Sequence, residues 1–194
     1  MGLFDVFSKK NDNLSKKTDD MYNQYLNEAC NLFQQGLYSE AVTSFDKAIA
    51  INLNDPNLWW LRGVSLEKIE LHVEALVSFN KSLTINPNYA FAWSNRGDAL
   101  DNLGRCSEAV ASYDKAIALN PNNSEAWSNR GVSLRNLGMF AEAVVSYDKA
   151  IAIDPSLADT WHNRGYALRQ LGMNKEADAS YDKAIALHKN KIIT

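Results

Sequence analysis

The chain has 194 residues, with 20 Lys and Arg against 23 Asp and Glu. Its formal net charge of −3 argues against a nucleic-acid partner, because nucleic-acid binding usually needs a basic surface. Two cysteines and three histidines are too few for a disulfide framework or a zinc module, and no apolar run reaches the roughly 18 residues of a membrane span. We therefore expect reduced thiols at Cys30 and Cys106, no metal, and a cytoplasmic protein.

Residues 1–21 form a segment of their own. They begin with an apolar cluster of Leu3, Phe4, Val6 and Phe7, and lysines follow among polar residues. One interpretation is an amphipathic anchor for a membrane surface or a partner groove. The other interpretations are a flexible tail and a cap in which Phe4 and Phe7 pack on the rest of the chain. The sequence leaves these alternatives open.

A spacing of 34 residues organises the rest of the chain. Four of the five tryptophans follow it, at Trp59, Trp93, Trp127 and Trp161. Eight of the nine glycines form two series with the same spacing, which indicates a repeat array rather than an ordinary single-core domain. The spacing defines a repeat domain over 22–191 and a tail at 192–194. The five units are 22–55, 56–89, 90–123, 124–157 and 158–191.

Each unit predicts two helices joined by a short turn. Apolar residues recur at helical spacing on both sides of a Leu-Gly pair, and a glycine such as Gly138 permits the left-handed backbone that ends a helix. A proline such as Pro121 ends the second helix. Another glycine, such as Gly131, lies inside the first helix, where it costs about 1 kcal/mol relative to alanine. We expect the second helix to pack closely on this bare backbone and so compensate for the cost.

A motif of six residues recurs from unit to unit. In the third unit it comprises Trp93, Gly97, Ala109, Tyr113, Ala116 and Pro121. This pattern resembles the tetratricopeptide repeat family, and the resemblance extends over all five units. It implies an all-α, right-handed superhelical solenoid of five helix-turn-helix units. It also implies a concave groove, lined by the first helices, that binds extended peptides or partner helices.

Three units depart from the motif. The first unit has Leu53 where a proline would close the repeat, and the second has Glu70 at the turn glycine. The fifth unit has Asn174 and Asp178 where earlier units carry aromatic or apolar residues. Since the ends of a stacked array face water, we expect the array to end at this unit.

Alignment to the family implies which side chains face the groove. We expect Trp60 to be the main aromatic anchor, because aromatic residues often dominate binding energies. The candidate binding residues form an apolar group, a row of amides and a polar group. They are Leu26, Phe33, Trp60, Leu61, Val64 and Phe91; Asn27, Asn95, Asn129 and Asn163; and Arg135, Tyr166 and Arg169.

Two repeated polar residues admit more than one interpretation. An amide side chain both donates and accepts hydrogen bonds, so the asparagine row either holds a peptide backbone or joins neighbouring repeats. An arginine also recurs beside it, and this arginine either holds a ligand carboxylate or pairs with a repeated aspartate of the second helices. We favour the second role for the arginines. The residues are Arg62, Arg96, Arg130 and Arg164, with Asp46, Asp114 and Asp148.

The sequence carries no phosphate-binding loop, metal motif or nucleophile elbow. We therefore expect a protein that is not an enzyme and uses no cofactor. The favoured function is a protein–protein interaction module, a scaffold or adaptor that binds an extended peptide or partner helix in the groove. The alternatives are a self-assembling structural protein that forms homo-oligomers, and a membrane-peripheral assembly factor that uses residues 1–21.

Overall fold

The computed structural model describes the backbone of residues 3–193 and the side chains of residues 16–189. This part of the chain contains ten α-helices and no strand, which confirms the all-α prediction. In chain order the helices are α1 (Leu3–Gln34), α2 (Tyr38–Ile51), α3 (Pro56–Glu67), α4 (His72–Ile85), α5 (Ala90–Asn102), α6 (Cys106–Leu119), α7 (Ser124–Asn136), α8 (Phe140–Ile153), α9 (Ala158–Gln170) and α10 (Asn174–Ile193).

The helices form hairpins that are assigned to two compact units. The first unit is Met1–Pro87 and contains α1 to α4, and the second is Asn88–Thr194 and contains α5 to α10. In each hairpin a first helix packs on the second helix that follows it, and consecutive hairpins pack through α2 on α3, α6 on α7 and α8 on α9. Within each unit this is the stacking expected of an all-α repeat solenoid.

The turn inside each hairpin needs a left-handed residue. Gly138 has a φ of 76°, and the next residue, Met139, donates its backbone N–H to the carbonyl of Leu134 at 2.9 Å. This geometry is a glycine-terminated helix end. Glu70 occupies the equivalent place in the second repeat with a φ of 61°, and Leu71 donates to Leu66 in the same way. The predicted turn is therefore confirmed, and Glu70 adopts it despite its Cβ.

The glycines inside the first helices let an aromatic ring of the second helix lie on the backbone. A Cβ added to Gly131 would stand 2.5 Å from Cε1 of Tyr147, which is fully buried. This contact confirms the expected close packing, because no other residue leaves room for the ring. The equivalent contacts join Gly63 to Phe79, Gly97 to Tyr113 and Gly165 to Tyr181.

The repeated arginines join successive helices. Arg130 donates from Nε to Oδ1 of Asp114 at 2.7 Å and from one Nη to Oγ of Ser146 at 2.7 Å, and thus ties α7 to α6 and α8. The same arrangement holds for Arg62 with Asp46 and Ser78, and for Arg164 with Asp148 and Ser180. The favoured interpretation, as partners of the repeated aspartates, is confirmed for these three arginines. At the fourth, Arg96, the aspartate position holds Asn80, and Arg96 keeps the bond to the serine, Ser112.

Candidate functional site

The first helices of the second unit lie side by side, since α7 contacts both α5 and α9. Three adjoining cavities of about 330, 180 and 580 Å³ follow the surface of these helices. Asp98 lines the first two, and Asn129 and Val132 line the second and third. We call this surface the α5–α7–α9 groove.

Asp98 stands at the centre of a hydrogen-bond network in the groove. Tyr113 donates its hydroxyl to Oδ1 at 2.8 Å, and the amides of Asn129 and Asn95 donate at 2.9 and 3.3 Å. Burial nevertheless raises the pKa of Asp98, and the three donors offset only part of this effect. The nearby Glu125 raises the pKa of Asp98 further through its negative charge.

Asp101 lies beside this network. Its Oδ2 accepts from Oγ of Ser133 at 2.5 Å and from the hydroxyl of Tyr113 at 3.4 Å. Its Oδ1 is buried, and the thiol of Cys106 is a further hydrogen-bond partner of this carboxyl group. Burial raises the pKa of Asp101, and it also raises the pKa of the Cys106 thiol, with a contribution from the Asp101 charge. Two neighbouring carboxyl groups thus occupy a partly dehydrated place in the groove.

Arg135 and Tyr147 lie one repeat further on. Arg135 donates to Oδ1 of Asn163 at 2.8 Å and to Oδ1 of Asn136 at 3.2 Å, and its guanidinium stands 5.7 Å from the ring centroid of Tyr166. The hydroxyl of Tyr147 is buried without a hydrogen-bond partner in the described part of the chain. Burial therefore raises the pKa of Tyr147 strongly, although the charge of Arg135 opposes the shift.

The asparagine row is partly structural. Asn129 joins its repeat to the preceding one through Asp98, and Asn163 does so through Arg135. Only one end of each amide is used: Oδ1 of Asn129 and Nδ2 of Asn163 have no partner within residues 16–189. Asn95 bonds within its own repeat, and Asn27 is exposed on α1. The row therefore joins repeats and still presents free amide groups.

The predicted apolar group is divided between the two units. In the first unit Leu26, Phe33 and Leu61 pack against the core cluster around Phe45 and are partly buried. Trp60 and Val64 are also half-buried on α3. Phe91 belongs to the second unit, where it is 59% exposed and lines the first cavity of the groove. A binding role for the first-unit residues stays a prediction.

The predicted polar group is largely engaged. Tyr166 is 42% exposed on α9, beneath the guanidinium of Arg135. Arg169 forms an ion pair with Asp178, the polar residue that marks the fifth repeat, and lies 5.4 Å from the ring centroid of Tyr181. Because its cation is held on α10, Arg169 is a weaker candidate for ligand binding than Tyr166.

The candidate residues drawn from the sequence do not include Asp98 and Asp101. A signal was present, since Asp98 stands where no other repeat carries a charged residue, and Asp101 stands where only one other repeat carries an acidic one. The Asp98 position holds Cys30, Val64, Val132 and Tyr166 elsewhere, and the Asp101 position holds Phe33, Glu67, Arg135 and Arg169. Residues that break the repeat at groove positions are the ones that distinguish one repeat from another.

The membrane, partner-groove and capping interpretations of residues 1–21 depend on side chains such as those of Phe4 and Phe7. These lie outside the described side chains. No helix in the described part of the chain combines the length and apolarity that crossing a bilayer requires. Among the same residues, no three His, Cys, Asp or Glu side chains cluster in a way that could hold a metal ion.

Comparisons with known proteins agree with the repeat architecture. Two models of the tetratricopeptide repeat match residues 94–158 and 146–191, and a TPR repeat model matches residues 31–69. No curated protein sequence matches the chain.

Solved structures show the same fold. A structure of MamA is 22% identical with a TM-score of 0.81, and the match covers 86% of this chain and 97% of that one. MamA from Desulfovibrio magneticus RS-1 is 20% identical with a TM-score of 0.84, over 88% and 97% of the two chains. YrrB, described as a TPR protein with an unusual peptide-binding site, is 26% identical with a TM-score of 0.75, over 87% of each chain.

Proposed function

Because this chain belongs to the tetratricopeptide repeat family, we propose that it is a protein–protein interaction module that binds an extended peptide in the α5–α7–α9 groove. The observation that carries this proposal is the continuity of the groove: three cavities with shared walls run along three consecutive first helices. A peptide strand is long and narrow enough to occupy such a surface. Binding of this kind is noncovalent and needs no cofactor.

The chemistry of the groove suits a peptide. The free Oδ1 of Asn129 accepts a hydrogen bond and the free Nδ2 of Asn163 donates one, so the two amides can satisfy the N–H and C=O groups of a ligand backbone. Phe91 and Tyr166 expose aromatic rings on α5 and α9. Such rings supply apolar contact at a low entropy cost and are common in binding surfaces.

The similarity to YrrB supports the same conclusion, since that protein is described as having a peptide-binding site and shares its fold with this chain. The peptide class is a separate question, because the two chains are 26% identical. It has to be inferred from this chain's own groove residues.

A direct test is selection of random phage-displayed peptides on the full chain, followed by fluorescence anisotropy with the selected peptides. Phe91→Ser removes an aromatic ring that is 59% exposed and lines the groove. Val145→Ser removes a side chain that is 57% exposed on α8, away from the three cavities, and is the matched control.

We expect Phe91→Ser to weaken peptide binding by about tenfold, as loss of an aromatic contact commonly does, and Val145→Ser to leave it unchanged. The thermal unfolding of both variants should stay close to that of the parent chain, because both side chains are largely exposed. Failure to select any peptide, or equal loss of binding in the two variants, would refute a peptide site in this groove.

A further inference from the structure

We propose that the chain forms a two-fold symmetric dimer in which α10 of one copy packs antiparallel on α10 of a second copy, centred on Ile185. This inference is independent of the peptide groove and goes beyond the proposed function. It follows from an uncovered apolar place on the last hairpin, from the contacts that cover the same place in earlier repeats, and from a charge pattern along α10 that is complementary to itself.

The last hairpin has one face that no helix covers. α6 packs on α7 and α8 packs on α9, whereas α10 packs on α9 alone within the described part of the chain. One position of the second helices shows the difference. Ile117 on α6 is 8% exposed, and Ile185, the equivalent residue on α10, is 52% exposed. Ile49, the equivalent residue on α2, lies in a core cluster with Leu58 of the following first helix. In the earlier repeats this side chain is therefore covered, and on α10 it is left in water.

A cavity of about 470 Å³ lies beside Ile185, between α9 and α10. Its lining residues are Asp159, His162, Tyr181, Ala184, Ile185 and His188. Nearer the hairpin turn the face is closed within the chain, because Arg169 pairs with Asp178 and lies over the ring of Tyr181. The open part is thus confined to the surroundings of Ile185. An exposed apolar place of this kind often marks contact with another molecule, and the cavity leaves room for an apolar side chain of that molecule.

Head-to-tail stacking of copies does not suit this face. Inside the array an arginine of the next first helix donates to an aspartate of the preceding second helix, as Arg130 does to Asp114. The equivalent aspartate on α10 is Asp182. The first helix that a second copy could add here is α1, which carries the exposed Glu28 at the arginine position. Stacking would place this carboxylate against Asp182, and like charges in contact oppose association.

The face of α10 is instead complementary to itself. Asp182, Ile185 and Lys189 are exposed and follow one another at spacings of three and four residues, so they share one side of the helix. Neither charged residue forms an ion pair within residues 16–189. When two antiparallel helices meet at Ile185, Asp182 of one copy lies within a turn of Lys189 of the other. Two-fold symmetry forms this contact twice, whereas parallel helices would bring like charges together.

The experiment is sedimentation equilibrium of the full chain over a wide concentration range. We expect the mass to rise from the 21.7 kDa of one chain towards twice that value and to stop there. High concentrations are needed, because one helix face is a small interface. Ile185→Glu places two carboxylates at the symmetry axis and should raise the dissociation constant by about tenfold or more. Val145→Glu is the control, since it adds the same charge to a side chain that is 57% exposed on α8, and it should have no effect.

Charge reversal tests the antiparallel arrangement itself. Asp182→Lys and Lys189→Asp should each weaken self-association, because each single variant places like charges opposite one another. An equimolar mixture of the two variants should form a mixed dimer, since lysines of one chain then face aspartates of the other. The double variant in one chain should recover dimerisation close to that of the parent chain. Far-UV circular dichroism verifies that each variant keeps its helices.

The outcomes decide the proposal. A chain that stays monomeric at every concentration refutes it, as does equal weakening by Ile185→Glu and Val145→Glu. A mass that rises beyond the dimer also refutes it, because a closed two-fold contact cannot propagate. If a dimer forms but neither the mixture nor the double variant recovers association, the antiparallel pairing of α10 is wrong. The peptide titrations with Phe91→Ser are separate measurements, so the peptide groove stands or falls independently of these results.

Discussion

Two equivalent tyrosines offer a sharp test of the groove structure. Tyr113 donates its hydroxyl to Asp98 at 2.8 Å, whereas the hydroxyl of Tyr147, at the same position of the next repeat, is buried without a partner in the described residues. Both rings are almost fully buried and lie on a glycine of the preceding helix. The first-unit repeats carry Phe45 and Phe79 at this position, so a phenylalanine fits the fold.

The same substitution should therefore have opposite effects at the two sites. Tyr113→Phe removes a hydrogen bond to a carboxyl group, and we expect it to lower the free energy of unfolding by about 1–2 kcal/mol. Tyr147→Phe removes a hydroxyl that is dehydrated without compensation, and we expect a gain of about 1 kcal/mol. Packing is nearly unchanged in both cases, because only one oxygen is removed.

The assay is urea unfolding of the full chain at neutral pH, followed by circular dichroism. Midpoints are compared only where the slope of the transition is unchanged, since repeat arrays can unfold in parts. The double variant Tyr113→Phe with Asp98→Asn should lose less than the sum of the single changes, because the two groups act through one bond. Midpoint shifts of the same sign for Tyr113→Phe and Tyr147→Phe would refute the reasoning.

Three further predictions concern stability. Glu70→Gly should raise the free energy of unfolding by about 1 kcal/mol in the same urea assay, because the residue has a φ of 61°. Arg130→Leu should lower the free energy of unfolding by about 1–2 kcal/mol, because the chain loses an ion pair and a bond to a buried serine. Arg105→Leu removes an exposed ion pair and should change the free energy of unfolding by less than about 0.5 kcal/mol. Burial raises the pKa of Asp98 above the ordinary carboxyl value of 3.8. The stability of the parent chain should therefore fall as the pH rises from 3.8 through the raised pKa. Asp98→Asn should flatten this dependence in unfolding midpoints measured between about pH 4 and 8.

The helical hairpins could be predicted because their determinants are local and repeated. A turn glycine such as Gly138 and an internal glycine such as Gly131 each impose a backbone requirement that recurs every 34 residues. The pairing of Arg130 with Asp114 was predictable for the same reason, since both partners repeat together. Periodic residues of this kind specify the scaffold.

The binding surface was harder to predict, because it depends on which polar groups find partners. Position along the helix placed Asn129 and Arg169 on the groove equally well. The structure shows that Asn129 keeps a free oxygen while Arg169 is held by Asp178, a residue of another helix. No local pattern contains this information, since it arises from contacts between side chains that are distant in the sequence.

The same distinction explains where selectivity can arise in a repeat protein. Residues that recur in every repeat must satisfy the same contacts each time, so they cannot distinguish one part of a ligand from another. Asp98 and Asp101 do not recur, and they occupy groove positions where their charge is costly to the isolated protein. We therefore expect the selectivity of the proposed peptide groove to depend on residues of this kind rather than on those that recur.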